Sequence, residues 1–230
     1  MTGRTVWSLL REIVPGLVED RFGTLSVERT DERLARFGRA VIEGARITLS
    51  VEGTENVQPG VAYVMMSNHA SHYDVPILYA SLPGSIRMVA KRELFRVPLF
   101  GRAMRAAGTI EVDRQDHKQA VASLRTGLDA LARGVSIWIA PEGTRSKKGT
   151  LGPLKKGGFM LALESGAPIL PIRLEGTNPI LPPGSLRTRT GQRVHVVVGR
   201  PIPTDGLGPD ARGMLMEKVR AFLAGESDER

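Results

Sequence analysis

Two of the chain's four histidines stand in one short stretch, Ser67 to Asp74, which reads SNHASHYD. It follows the apolar run VAYVMM, so the pair sits where a buried strand would end. Three uses fit these residue types: packing, metal ligation by His69, His72 and Asp74, or acid–base work. With a helix starting near Ala70, Asp74 lies little more than one turn beyond His69 and within reach of its ring. A carboxylate on one imidazole nitrogen fixes the tautomer and raises the ring's basicity, leaving the other nitrogen to take a proton. That is the base half of a triad with no nucleophile built in. His-x-x-His alone is a weak metal pattern, and no further histidine cluster or carboxylate pair completes a set, so neither a metal nor a cofactor is expected. Gly-x-Ser-x-Gly is absent. Cysteine is absent too, which removes a thiolate nucleophile and thiolate metal sites.

A second stretch, PEGTRS, carries groups suited to an anion. Gly143 and Thr144 read as a tight loop whose backbone N–H groups and hydroxyl can approach phosphate. Arg145 offers a planar fork for two phosphate oxygens. Glu142 either holds Arg145 in place or accepts from a substrate hydroxyl; the plainer alternative is a surface Glu–Arg pair. GTIEVDR adds Gly108 and Arg114, and Lys91 is a third cation. Gly-x-Gly-x-x-Gly and the Walker pattern are missing, so a nucleotide cradle is not indicated. Charge supports an anionic partner. From Ser85 to Met160 there are 15 Lys and Arg against 6 Asp and Glu, whereas the remainder holds 17 against 18. The whole net charge of +8 therefore comes from one middle stretch. Aromatic residues are 5% of the chain and are not interleaved with the basic ones, so base-stacking platforms look absent and no nucleic acid partner is expected.

These residues need elements to position them. ITLSVEG alternates like a strand, and VAYVMMS reads as a buried one. Further strands are expected at Arg87–Ala90, Thr109–Val112, Val135–Ala140, Ile169–Leu174 and Arg193–Val198. Helices are expected at Asp31 to about Ala45 with Asp31 as cap, and at Asp74–Ser81, Val97–Ala107, His117–Arg133, Gly157–Ser165 and Pro209–Leu223. Strand–helix alternation gives an α/β fold, a mostly parallel sheet with helices on both faces. Sites in such sheets form at the carboxyl ends of strands, where SNHASHYD, KREL, DR, PEGTRS and EGTN all fall. Ahead of the sheet, an N-terminal helical segment is expected. Val6 to Val18 has an apolar face, interrupted by Pro15-Gly16, with Trp7, Arg4 and Arg11 placed to meet an anionic membrane surface. Packing on the domain is the alternative. The expected organisation is 1–45 for this amphipathic helical segment, 46–224 for the main domain and 225–230 for a flexible tail. No segment approaches the roughly 18 apolar residues of a spanning helix, and no signal peptide pattern is present, so a cytoplasmic protein peripheral on a membrane is expected.

NHASHYD, GTIEVDR, PEGTRS and ILPI occur in this order and resemble the four blocks of the glycerolipid acyltransferase family. The resemblance runs from about Glu52 to Arg200. Blocks one and three are its specific part, and KREL at Lys91–Leu94 resembles an element found between the first two. The resemblance implies a glycerol-phosphate acyltransferase-like fold. It also implies acyl transfer from acyl-CoA or acyl carrier protein to a lysophospholipid hydroxyl, above all that of 1-acylglycerol 3-phosphate, with no acyl-enzyme. It puts the base on His69 with Asp74 as partner, and phosphate binding on Arg114, Glu142, Gly143, Thr144 and Arg145, with Lys91 beside them. Glycerol 3-phosphate or lyso-ornithine lipid are alternative acceptors, and a non-catalytic basic module is the more distant reading. Pro171, in ILPI, is read as packing beside a strand end.

Overall fold

Seven short strands pair into one sheet; its central strands are buried on both faces, while the edge strand Thr48–Glu52 exposes every other residue. The computed structural model describes residues 11, 15–19, 21–22, 25–113, 117–146, 150–182, 185 and 187–226. The strands are β1 (Thr48–Glu52), β2 (Val64–Ser67), β3 (Ile86–Lys91), β4 (Ile110–Val112), β5 (Ser136–Ile139), β6 (Ile169–Glu175) and β7 (Arg193–Val198). Their order is β1-β7-β6-β2-β5-β3-β4. Every pairing is parallel except β6 with β7. Strands β2 to β6 therefore end on one edge of the sheet, while β1 and β7 run the other way. The outermost strand β1 pairs with β7 in the register Thr48↔Arg193 to Glu52↔Val197.

The period of two places neighbouring residues in different cores. Val64, Met66, Ile137 and Ile169 join Phe159, Leu215 and Phe222. Met65, Trp138, Leu170 and Ile172 join Val41, Tyr73, Ile77 and Leu78. The second core lies under helices α1 (Val27–Gly44) and α2 (Asp74–Ser81). The first lies under α5 (His117–Ala132), α6 (Gly157–Ser165) and α7 (Arg212–Ala224). Between β3 and β4 come the short helices α3 (Arg92–Phe95) and α4 (Phe100–Ala106). The α/β architecture expected from the alternation is thus the one observed, a mostly parallel sheet flanked by helices.

Three local expectations are corrected. Helix α1 starts at Val27, earlier than expected, because Ser26 caps it by accepting from Arg29 N–H at 3.3 Å. Asp31 lies inside the first turns and pairs instead with the buried Arg87 of β3, tying α1 to the sheet. The helix expected over Val97–Ala107 starts only at Phe100, because Leu99 before it sits at positive φ, and the short helix α3 ahead of it was not expected. The C-terminal helix begins as a 3-10 turn at Pro209–Ala211. Most of the N-terminal segment expected at Val6 to Val18 lies outside the described residues, though 15–19 are helical. Most of the tail expected at 225–230 also lies outside them.

Helix α2 positions the site, and two contacts fix it. Ile77 and Leu78 are fully buried beneath it, each contributing about 1.5–3 kcal/mol. Above it, α1 crosses so closely that a Cβ on Gly38 would stand 2.5 Å from the Pro76 carbonyl oxygen and 3.0 Å from Ala80 N. Both obstacles are backbone and cannot rotate away. Gly38→Ala is therefore expected to cost about 1–3 kcal/mol of stability, the usual range for overpacking. Urea unfolding measures it; an unchanged midpoint would mean that α1 is not clamped on α2.

Candidate active site

At Ser67 strand β2 ends and the chain leaves the sheet, but its pairing with β6 continues for one more step. Asn68 supplies it with its side chain. Asn68 Nδ2 donates to the Leu174 carbonyl oxygen at 2.8 Å, and Leu174 N–H donates to Asn68 Oδ1 at 2.8 Å. The side-chain amide replaces a peptide group, which frees the next residue to turn above the sheet.

That residue is His69. Its Nδ1 lies 2.6 Å from Asp74 Oδ2. The same oxygen accepts from Ala70 N–H at 2.8 Å and Ser71 N–H at 2.9 Å. Asp74 is fully buried and is the first residue of α2, where the helix N-terminus favours a negative charge. The helix does not start near Ala70, because residues 69–71 wrap around the carboxylate to reach it. Since Nδ1 faces a carboxylate, it carries the proton, and the lone pair belongs to Nε2. No hydrogen bond among the described residues occupies Nε2. The ring packs edge-on against Trp138, with centroids 5.6 Å apart at 84°. Trp138 Nε1–H donates to Ser67 Oγ at 3.0 Å, and Ser67 Oγ–H donates to the Asn68 carbonyl oxygen at 2.9 Å.

The PEGTRS loop leaves β5, the strand beside β2, and grips His69 by its backbone. His69 N–H donates to Glu142 Oε1 at 3.0 Å, and Ser146 N–H donates to the His69 carbonyl oxygen at 2.7 Å. Glu142 Oε2 accepts from Gly152 N–H at 2.8 Å. Of the two uses expected for Glu142, the pairing with Arg145 is corrected. Its carboxylate is buried and binds two backbone amides, because those N–H groups would otherwise be buried without a partner; no bond to Arg145 forms. Gly143 closes the turn with N–H to the Ala140 carbonyl oxygen at 2.9 Å and φ of 76°, a conformation that favours glycine.

Beyond the turn, Thr144 is exposed, and Arg145 is half-buried with no ion pair among the described residues. His72 is exposed, and its pKa is lowered by crowding of the ring, then by the Arg145 cation and by His69. The cation and the imidazole thus share one neighbourhood. Lys91 is exposed at the end of β3, across β5 from β2. Arg114 lies outside the described residues. No group of three His, Asp or Glu that could hold a metal ion occurs among the described residues. Pro171 is buried in β6 beside Met66 of β2.

Sequence reasoning missed Asn68, Trp138 and Ser146. A signal existed only for Asn68, an amide directly between a strand and the histidine. Chemically, the arrangement offers a histidine oriented by a buried carboxylate, held by a loop that carries a glycine turn and a guanidinium; among the described residues neither Nε2 nor that guanidinium has a hydrogen-bond or ion-pair partner.

Comparison with known proteins places this site in context. Residues 48–175 match a family model described as Acyltransferase. A chloroplastic 1-acyl-sn-glycerol-3-phosphate acyltransferase of Brassica napus is 36% identical over 173 residues, covering 74% of this chain and 50% of that protein. The human 1-acyl-sn-glycerol-3-phosphate acyltransferase alpha is 35% identical over 175 residues, covering 76% of this chain and 62% of that protein. The chain thus spans between half and two thirds of the length of these relatives. The crystal structure of the 1-acyl-sn-glycerophosphate acyltransferase PlsC from Thermotoga maritima superposes with a TM-score of 0.73 at 25% identity, covering 94% of this chain and 86% of that one.

Asn68 yields a direct test of the geometry. Asn68→Ala leaves the N–H of Leu174, a residue only 4% exposed, without its partner, at a cost of about 1–3 kcal/mol. Asn68→Asp is expected to be no better, since it keeps the acceptor but sets a carboxylate oxygen against the Leu174 carbonyl. Urea unfolding of both variants checks this. Wild-type stability in Asn68→Asp would show that the side chain does not replace a peptide group.

Proposed function

The chain belongs to the Acyltransferase family, and from that premise we propose that it acylates the free hydroxyl of 1-acylglycerol 3-phosphate, giving phosphatidic acid. The acyl donor is a thioester of coenzyme A or of acyl carrier protein. The observation that carries the reading is the 2.6 Å contact of His69 Nδ1 with the buried Asp74 carboxylate, which leaves Nε2 as a base. The hydroxyl loses its proton to Nε2 as its oxygen bonds to the thioester carbonyl carbon. The tetrahedral intermediate then collapses, the C–S bond breaks, and the proton returns from Nε2 to the departing thiolate. No acyl-enzyme forms. Such a base is typically worth about 10²–10⁴ in rate.

Arg145 takes the acceptor's phosphate as a two-pronged donor, with Gly143 and Thr144 beside it, and Lys91 and Arg114 add positive charge. Glu142 supports the loop in this reading and does not touch phosphate. Holding the acceptor by its phosphate turns an encounter into a positioned attack. No helix of the described residues is long and apolar enough to cross a membrane. The enzyme in this reading works peripherally, on the cytoplasmic face of an anionic membrane, where its lipid acceptor resides.

Release of free thiol from acyl-CoA with a panel of lysolipids tests the reading. Lysophosphatidate is expected to be the preferred acceptor; preference for a phosphate-free lysolipid would sink it. His69→Ala is expected to lower kcat at least about 100-fold while the protein stays folded. More than a tenth of wild-type turnover in that variant would remove His69 from the role of base. Asp74→Asn is expected to lose most activity as well, because an amide no longer fixes the tautomer. Arg145→Ala is expected to raise KM for acceptor more than for donor, with Arg145→Lys a partial rescue, since an ammonium lacks the fork. A rise in donor KM alone would contradict the assignment.

A further inference from the structure

We propose that the corner between α3 and α4 is a rigid wedge that seats apolar side chains in the headgroup region of an anionic bilayer. Leu94, Val97, Leu99 and Phe100 sit on this corner, each between 36% and 47% exposed. Leu99 is held out by an unusual turn. Its φ is 63° and ψ −51°, and Phe100 N–H donates to the Pro98 carbonyl oxygen at 2.7 Å. That is a three-residue γ-turn of the rare, strained kind, with a leucine at its centre. A strained leucine that is also exposed has no packing reason to be there, which points to a use outside the fold.

The underside of the corner is locked. A Cβ on Gly101 would meet the Phe95 carbonyl oxygen at 2.0 Å, so α3 and α4 touch backbone to backbone. Arg105 Nη1–H donates to the Phe95 carbonyl oxygen at 3.2 Å, and its guanidinium sits 5.1 Å over the Phe95 ring. Leu99 and Arg102 also line an open groove of about 280 Å³ with Val18, Arg21 and Phe22. Phe22 is 75% exposed, so the apolar surface extends onto the segment ahead of α1.

Charge decides what covers this surface. Arg92 pairs with Glu111 and Asp113, and Arg105 pairs with Glu111. By contrast, Arg21, Arg96 and Arg102 are exposed and have no ion pair among the described residues. Arg21 and Arg102 line the groove with Leu99, Arg96 precedes Val97, and Glu93 is the one exposed acid on α3, so cations outnumber acids beside the apolar tip, as on a surface that meets anionic headgroups and the acyl boundary together. A stable protein interface uses roughly 20–30 residues a side, far more than two short segments offer. The wedge also follows directly on Lys91 at the carboxyl end of β3, so it lies on the edge of the sheet that carries His69. The proposal rests on the lipid-acylating reading for its purpose only, since binding is read without catalysis.

Co-sedimentation of the full chain with vesicles of phosphatidylcholine, alone or mixed with phosphatidylglycerol, provides the test. Wild type is expected to pellet with the mixed vesicles in a salt-sensitive manner and weakly with the neutral ones. Leu99→Gly suits the backbone and deletes the anchor. It is expected to melt no lower than wild type, yet to lower partitioning onto mixed vesicles about tenfold. Arg96→Gln with Arg102→Gln is expected to lower it by a similar factor and to flatten the salt dependence. Wild-type partitioning in both variants would overturn the wedge. So would loss of binding in Phe22→Ser with Leu99→Gly unaffected, which would place the anchor on the segment ahead of α1. Self-association of the wild type without lipid, abolished in Leu99→Gly, would make the surface a contact between copies and overturn it too. Vesicle binding without thiol release from acyl-CoA would leave the wedge standing and fail the catalytic reading instead.

Discussion

A carboxylate with no access to water dictates the shape of everything near it. Removing an ion from solvent costs several kcal/mol unless hydrogen bonds replace the lost hydration. Asp74 is fully buried and meets that requirement through Oδ2 alone, which gathers an imidazole and two backbone N–H groups, while Oδ1 has no hydrogen-bond partner among the described residues. Those N–H groups belong to Ala70 and Ser71, so the chain has to bend around the charge to deliver them. The position of the His69 ring follows from that bend. Helix α2 holds the charge in place through Ile77 and Leu78 below and the crossing of α1 above. The fold thus positions an imidazole by first burying an acid.

The sheet order explains why the bend is secure. Strand β2 lies between β5 and β6, and each neighbour contributes a restraint. Towards β6, the Asn68 amide seals the gap left when the chain departs. Towards β5, Glu142 and Ser146 hold the N–H and the carbonyl of His69. The imidazole is therefore fixed through its backbone, its Nδ1 and the edge contact with Trp138, leaving Nε2 for chemistry. A loop that grips the histidine and carries Arg145 makes the proposed anion site and the proposed base one mechanical unit.

Most of the framework was legible because it depends on local pattern. All seven strands follow from short apolar runs, alternating in β1 and continuous in β2, and the bounds expected for α2 and α6 are the ones observed. The pairing of His69 with Asp74 was legible from spacing, though the reason for it was not, since a helix through Ala70 and a loop around a carboxylate give the same proximity. What escaped prediction depends on partners distant in sequence. Asp31 reads as a cap until Arg87, 56 residues away, claims its carboxylate. Glu142 reads as a neighbour for Arg145 until the amide of His69, 73 residues away, takes it. The γ-turn at Leu99 was equally hidden, because nothing in VPLFG forces a leucine to a positive φ.

The edge of the sheet carries a consequence for how the chain is made. Strand β1 comes early in the sequence, and β7 lies against it; Ser50 and His195 touch across 145 residues. A ribosome adds roughly 5–20 residues per second, so β1 waits on the order of ten seconds for its partner to be synthesised. During that time it is an orphan strand, the kind of segment that seeds aggregation. Its composition suits the delay. In TLSVE the outward positions Thr48, Ser50 and Glu52 are polar, so the waiting strand offers only two apolar side chains to any wrong partner. The five strands that carry the site can pair among themselves beforehand, and closure of the edge becomes a late step paced by translation and by the entropy of joining distant segments.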